Sequence, residues 1–424
     1  MNRKTPSDII LFLLFAVGVF LWQRTALPPW IGDVFPDQLA AHYLRNGDVE
    51  SVYASSRTYD AWMAKSLPVA RDLGLDCDLC TYMYPPFVAG ALVPFSEVSA
   101  GTWRDVIFVI NVLLLFVISY QIVRVCDIPL GWRALLWGLV LILLCYPMAR
   151  ATKLSQPVPL LAVIAWIGLI GLRKRKDWMA GIVLGLVTAI KLFPGVIFLL
   201  PLLDRRFKPV VIGIAVNIAI YTASVITTGM RLHVLWWETM HEFSRNVIPY
   251  WGNQSPLGWL SRAVIGLDIM EGRPTVFPGQ WILRLVMIIV FGGITLWCLW
   301  KMRGKLTRER FPLSVGLVLS GALLSVPTAW EHYWLFVLPV LGWAIYKEWH
   351  QGDSVVTMWW LLGAAFFFLM KLTRFYTPSE WGRIATGSQT VGLILLWAWM
   401  VYRSRRDFRP VVQTQPLSSA SCDV

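Results

Sequence analysis

Several polar groups in this otherwise apolar sequence could share one reaction. Asp33 lies in Trp30-Ile31-Gly32-Asp33-Val34-Phe35-Pro36-Asp37. A carboxylate set among apolar neighbours can take a proton from a hydroxyl brought within hydrogen-bond reach. Asp37, further along the same segment, is the alternative base. Lys191 stands inside the apolar stretch from Trp178 to Leu203, where a lysine is costly unless it reaches the interface or meets an anion. Trp330-Glu331-His332-Tyr333-Trp334 adds a carboxylate, an imidazole and rings, and Arg374 adds a further cation. Tyr84 in Tyr82-Met83-Tyr84-Pro85-Pro86-Phe87, Gln156 in Lys153-Leu154-Ser155-Gln156-Pro157, and Asn253-Gln254-Ser255 complete the set. A base, two or more cations and many aromatic rings are the parts needed to move a sugar off a lipid phosphate. The base takes the acceptor's proton, and the cations stabilise the charge that develops on the departing phosphate.

Each of these residues also has a plain structural reading. Asp33 can be a solvated loop acid, Tyr84 an interfacial ring on a rigid turn, and Gln156 a capping amide. Lys191 can snorkel, Asn253 and Ser255 can tie a loop, and His332 can belong to an interfacial Trp/Tyr belt. Asn253-Gln254-Ser255 also has the spacing of a glycosylation acceptor, which the following Pro256 disfavours. Convergence of these groups on one face is therefore what favours the chemical reading.

The elements that must position them are membrane helices. The chain has 424 residues, 57% hydrophobic and 15% charged. Soluble chains run at roughly 45–50% and about 25%. That composition excludes a soluble enzyme on a single anchor. It also excludes a disordered or nucleic-acid-binding protein, despite a net charge of +13. Such a basic excess in a membrane protein marks cytoplasmic loops.

An uncleaved first helix is expected over 9–22, preceded by Arg3 and Lys4, which place the N-terminus in the cytoplasm. Further spans are expected at 104–124, 133–151, 156–172, 208–229, 279–300, 311–327, 333–348, 354–371 and 387–403. The segment 178–203 is long for one span and short for two. Arg173-Lys174-Arg175-Lys176 precedes it, and Arg205-Arg206 with Lys208 follow. Two cytoplasmic clusters require the chain to go out and return, turning at Lys191-Leu192-Phe193-Pro194, where a proline breaks the helix. Counting two half-length helices there gives about twelve in all.

This count places both termini inside, consistent with the basic tail Arg403-Ser404-Arg405-Arg406. Residues 27–103 then form the longest outer loop, with Pro86 to Phe95 as a re-entrant or interfacial piece. Residues 27–83 carry eight acids against four bases, which agrees with an outer position. A single membrane domain over 1–409 and a disordered cytoplasmic tail over 410–424 are expected. Cys77 and Cys80 in that loop could pair as a disulfide or stay as thiols. The sequence has no metal-ligand spacing, so no cofactor and no metal are expected.

With these residues in view, the chain resembles glycosyltransferase family 87 of the C-type membrane glycosyltransferases, from about residue 28 to 345. The family's acid after the first helix, paired alanines and glycine look like Asp33, Ala40-Ala41 and Gly47, with Tyr53 after. Its Tyr-Pro-Pro motif resembles Tyr84-Pro85-Pro86, with Pro94 also fitting. Its glycine-led hairpin resembles Gly181, Gly185, Lys191 and Pro194. Its Asn-x-Ser resembles Asn253-Gln254-Ser255, and its Pro-x-x-Trp-x-His resembles Pro327, Trp330 and His332. Of the family's Gly-Gln-x-Asn only Gln156 is present, and Asp37 stands where the family often has an aromatic residue.

The resemblance implies a polyprenyl-phosphate-linked donor carrying mannose foremost, or arabinofuranose. It implies transfer to a glycolipid or polysaccharide acceptor at the outer face of a bacterial cytoplasmic membrane, with inversion. Asp33 would be the general base, with Lys191 and His332 near the donor phosphate. Two other readings compete. A transporter or flippase of lipid-linked sugars would bury its ionisable residues at mid-bilayer, whereas here they gather at span ends. A membrane glycan ligase or polymerase would carry its large loop late in the chain, whereas here it follows the first helix.

Overall fold

The computed structural model describes residues 6–30, 32, 35–54, 59–74, 81–268, 272–304, 309–351, 354–370 and 380–406. Asp33, Cys77, Cys80, Arg374 and the tail 410–424 lie outside them. The described chain holds twenty α-helices, and its only β pairings are the isolated bridges Val247–Thr275 and Asn253–Trp330. It is a multi-pass integral membrane protein.

Among the described residues, four helices are long and apolar enough to cross a bilayer: Asp8–Ala26, Ala100–Val125, Phe207–Thr228 and Gln280–Met302. Trp132–Leu143 with Tyr146–Lys153 makes a fifth if counted as one span bent by 67°. The expected twelve therefore resolve into these and a set of shorter apolar helices, for physical reasons that can be located. The span expected at 133–151 breaks at Leu144-Cys145, because Pro147 sits in the first turn of the second piece and cannot continue the first. The span expected at 156–172 starts only at Val158, after a left-handed Ser155 (φ 53°) and Pro157. The span expected at 333–348 begins as a 3-10 turn, Glu331–Phe336, and becomes α-helical at Leu338. At 1.5 Å per residue, helices such as Val158–Arg173 (16 residues) and Asp177–Ile190 (14 residues) reach about 21–24 Å, short of a ~30 Å hydrocarbon layer.

The 178–203 segment turns where its sequence indicates. Helix Asp177–Ile190 stops, Lys191 is extended (φ −134°, ψ 122°), and Pro194 enters the 3-10 turn Phe193–Phe198 before the short helix Leu199–Leu203. The second limb comes back level with the start of the first. Arg206 pairs with Asp177 and donates from Nη2 to the Leu172 carbonyl at 3.1 Å. Gly181 and Gly185 let the first limb lie directly on helix Phe207–Thr228. A Cβ on Gly181 would meet Ile212 Cβ and Pro209 O at 2.7 Å, and one on Gly185 would sit 3.0 Å from Gly213 Cα. Asn217 closes the contact by donating to the Gly185 carbonyl at 3.1 Å.

The first loop has a core of its own. Helix Phe35–Arg45 buries Phe35, Leu39, Ala40 and Tyr43 against Val52, Tyr53, Trp62, Tyr82 and Ala89, with Leu232 of helix Met230–Arg245 beneath. Tyr43 Oη donates to Ser66 Oγ at 2.8 Å, and Trp62 Nε1 to the Ser51 carbonyl at 2.8 Å, so the buried polar atoms of these rings are satisfied. Pro86–Phe95 is a short apolar helical stretch within this loop.

Candidate active site

The helix break puts Lys191 at the tip of the hairpin, where its Nζ donates to Tyr333 Oη at 3.2 Å. The ammonium lies 4.4 Å from the Tyr333 ring centroid and 5.0 Å from that of Tyr84. Rings hold a cation in place without neutralising it. Among the described residues no carboxylate pairs with Lys191. Phe193 stacks on Tyr333 (5.5 Å, 5° between planes), which ties the turn after Lys191 to the segment carrying His332.

Tyr84 is placed by its backbone. Tyr53 Oη donates to the Tyr84 carbonyl at 2.7 Å, Tyr82 Oη to the Pro85 carbonyl at 3.3 Å, and Pro85-Pro86 starts the helix Pro86–Leu92. Burial above all, then the neighbouring Tyr53 and Asp37, push the Tyr82 phenol up. Asp37 is half-buried in the first turn of Phe35–Arg45, where the helix N-terminus favours a carboxylate.

His332 and Glu331 are buried beside this tip. Glu331 Oε1 pairs with Arg150 Nε at 3.1 Å, and the Arg150 guanidinium lies 4.9 Å over the Trp251 ring. Burial, then the charges of Lys191 and Arg150, hold the His332 imidazole well below the usual histidine range, so it is neutral at pH 7. A neutral imidazole can donate one hydrogen bond to an anion without adding charge. Trp330 meets Tyr250 edge-on at 6.2 Å.

Asn253 and Ser255 stand behind the site. The Asn253 amide donates to the carbonyls of Ile248 (2.8 Å) and Pro327 (3.1 Å), while its Oδ1 accepts from the amides of Ser255 (3.1 Å) and Ala329 (3.0 Å). All four of its hydrogen-bonding positions are thus engaged by the protein. Ser255 Oγ donates to the Pro327 carbonyl at 2.7 Å and caps helix Pro256–Ala263 by accepting from Gly258 N at 2.9 Å. Both side chains fix the strand-like contact on which Trp330 and Glu331 are mounted; Glu331 N also donates to the Gly252 carbonyl at 3.1 Å.

Gln156 follows the left-handed Ser155. Asn111 Nδ2 donates to its carbonyl at 3.0 Å. The same turn anchors the chain that precedes Asp33: Trp30 N donates to the Lys153 carbonyl at 2.6 Å, and Ser155 Oγ donates to the Trp30 carbonyl at 3.2 Å. The fold therefore gathers Lys191, Tyr84, Glu331 and His332, sets Asn253 and Ser255 beneath them, and ties Gln156 to the segment leading to Asp33. Asp33 and Arg374 themselves lie outside the described residues.

Two positively charged residues at or near the site escape sequence reasoning. Arg150 falls at the end of an expected span, and only the 67° bend turns it toward Glu331. Arg262 is fully buried and donates to the carbonyls of Tyr250 and Asn253, each at 2.9 Å, and to Thr386 Oγ1 at 3.0 Å. Burial pushes its pKa down to about 9, which still leaves it charged at neutral pH. Its position after a Trp-rich loop gave no sign of this. Among the described residues no three His, Cys, Asp or Glu side chains come together as a metal-ligand set.

The chain is 24% identical over 315 residues to an alpha-(1->3)-arabinofuranosyltransferase of Mycobacterium tuberculosis (strain CDC 1551 / Oshkosh), covering 71% of this chain and 66% of that one. It therefore spans just under two thirds of that relative's length. It is 26% identical over 333 residues to a polyprenol-phosphate-mannose-dependent alpha-(1-2)-phosphatidylinositol pentamannoside mannosyltransferase of Mycolicibacterium smegmatis (strain ATCC 700084 / mc(2)155), covering 76% and 73%. A polyprenol-phosphate-mannose-dependent alpha-(1-2)-phosphatidylinositol mannoside mannosyltransferase of M. tuberculosis (strain ATCC 25618 / H37Rv) is 23% identical over 408 residues, covering 90% and 86%. Residues 82–327, more than half the chain, match the sequence profile of glycosyltransferase family 87 and include Tyr84, Gln156, Lys191, Asn253 and Ser255. The chain belongs to glycosyltransferase family 87.

Proposed function

We propose that this protein transfers a glycosyl group from a polyprenyl-phosphate donor to a glycolipid or polysaccharide acceptor, with inversion. The observation that carries the reading is Lys191: a cation at the tip of a membrane hairpin, walled by Tyr84 and Tyr333, with a neutral His332 beside it. A phosphate oxygen docked on Lys191 would meet one uncompensated positive charge, because Arg150 is already balanced by Glu331. Asp33 takes the acceptor hydroxyl's proton, and the acceptor oxygen attacks the anomeric carbon. The bond from that carbon to the phosphate oxygen breaks, and polyprenyl phosphate leaves with the electron pair. Lys191 stabilises the charge gathering on the phosphate, and His332 can donate to it. Tyr84, Trp330 and Trp251 offer ring faces to the sugar. Asn253, Ser255 and Arg262 act by positioning. Gln156 and Arg374 are assigned to the substrate's side of the site.

In this reading a single C-type membrane domain spans 1–409 with about twelve membrane helices, several of them short. The termini are cytoplasmic and the site faces outward, where a lipid-linked donor replaces a nucleotide sugar. The relatives divide between mannose and arabinofuranose, so both donors belong in the test. Purified protein in lipid would be given each labelled polyprenyl-phosphate sugar with an envelope glycolipid extract. Wild type and Asp37→Asn are expected to transfer label, and Asp33→Asn to lose transfer. Loss with Asp37→Asn alone would move the base to Asp37. No transfer from either donor would favour a transporter of lipid-linked sugars instead.

A further inference from the structure

At the other end of the hairpin, about 20 Å from Lys191 by helix rise, lies a cavity of about 460 Å³. Its polar lining is Arg124, Asp127, Arg173, Lys174, Arg175 and Arg206, brought together from the ends of three helical segments. Leu172, Pro201 and Phe311 form an apolar floor. Arg173 pairs with Asp127 and Arg206 with Asp177. Asp204 accepts from Gly304 N at 3.1 Å and feels the charges of Arg206 and Arg175. Five bases thus line the cavity with one carboxylate, Asp127, while Asp177 and Asp204 stand close by; among the described residues Arg124 and Lys174 make no salt bridge, and Arg175 meets Asp204 only at longer range.

A second observation concerns the backbone. Each of the three segments ends in a left-handed residue that is not glycine: Asp127 (φ 54°), Arg175 (φ 57°) and Arg205 (φ 58°). In each case the following amide closes the turn, as Ile128 N does on the Val123 carbonyl, Lys176 N on Gly171 and Arg206 N on Pro201. Glycine is the usual residue there, because a side chain strains this conformation. Charged residues are held at these positions in spite of that strain. Trp178 (59%) and Phe207 (57%), next in sequence to Asp177 and Arg206, are exposed rings.

We propose that this cavity binds the phosphate of an anionic lipid headgroup. Its excess of guanidinium and ammonium donors suits a phosphate oxygen set, and the exposed rings next in sequence to Asp177 and Arg206 suit the acyl chains of the lipid that carries it. The site is separate from Lys191 and needs no assumption about the transfer reaction.

Native mass spectrometry of the full chain, released from micelles doped with phosphatidylglycerol or with phosphatidylcholine, tests this. Wild type is expected to retain phosphatidylglycerol preferentially. The triple variant Arg124→Ala, Lys174→Ala, Arg175→Ala should retain at least about tenfold less. Arg124→Lys with Arg175→Lys should retain it, and so should Lys301→Ala, Arg303→Ala, Arg405→Ala, which removes three bases outside the cavity lining. All three residues of the first variant are exposed, so folding should survive, and a matching thermal midpoint would establish that. Inorganic phosphate bound by wild type as tightly as phosphatidylglycerol, and lost in the triple variant, would assign the anion site to free phosphate and overturn the lipid as its ligand. Equal retention by the triple variant, or no preference over phosphatidylcholine, would overturn the proposal.

Discussion

Positive charge stands at both ends of the hairpin formed by Asp177–Ile190 and Leu199–Leu203, and the two ends treat it in opposite ways. At the base, Arg206 is paired with Asp177, and Arg173 with Asp127, beside the exposed bases Arg124, Lys174 and Arg175. At the tip, Lys191 is half-buried and held by Tyr333 and Tyr84, with rings where the base has carboxylates. Charges that face water are screened by counter-ions, which suits reversible holding of an anion rather than stabilising a charge that develops during bond cleavage. A lone cation in a ring-lined pocket concentrates its field on whatever anion docks there. Charge count therefore does not locate a reaction centre; the compensation around each charge does.

Three expected outcomes would break or sharpen that contrast. The largest is for the tip's own ion pair. Glu331 is 5% exposed at its side chain, and Glu331→Gln would remove the buried carboxylate that pairs with Arg150. A destabilisation of about 3 kcal/mol is expected, read as a lower thermal midpoint in detergent. An unchanged midpoint would mean that the tip is as well solvated as the base.

Next is the pH response of His332. Its folded pKa is depressed by burial and by Lys191 and Arg150, whereas in the unfolded chain it titrates near about 6.5. Above that pH both states are neutral, and the full stability is present. As the pH falls below it, the unfolded chain takes up a proton that the folded chain refuses, so stability drops by up to ~1.4 kcal/mol per pH unit. Thermal midpoints from pH 7 to 5 should therefore fall less steeply in His332→Gln than in wild type. Parallel slopes would show that the imidazole is not held neutral.

The smallest effect belongs to the base. Asp177, with 23% of its side chain exposed, should cost at most about 1 kcal/mol when changed to Asn, measured by the same unfolding assay. A loss as large as that of Glu331→Gln would erase the difference between the two ends.

Much of this arrangement can be read from the sequence, and the limits have physical causes. The hairpin is legible because basic clusters flank an apolar run of awkward length with Lys191 and Pro194 at its middle, and the turn lies there. The spans at Ala100–Val125 and Phe207–Thr228 are legible because a continuous apolar run has one stable answer in a bilayer. Hydropathy does not see where such runs shorten or bend, as at Leu144-Cys145 or before Leu338, because a few backbone hydrogen bonds decide that. The candidate site shows the same division. Lys191, Tyr84 and His332 stand out as polar groups in apolar company. Arg150 does not, since its partner Glu331 is 181 positions away. Asn253 and Ser255 stand out by type, yet only their contacts show that they serve the backbone around Pro327.

Whether Lys191 meets the donor phosphate is tested most directly by the catalytic efficiency of transfer from a labelled polyprenyl-phosphate sugar in lipid. Wild type would be compared with Lys191→Ala and with Lys301→Ala, a charge loss remote from the tip. A fall of about 10²-fold or more is expected for Lys191→Ala, and wild-type transfer for Lys301→Ala. Transfer by Lys191→Ala at the wild-type rate would contradict that contact with the donor phosphate.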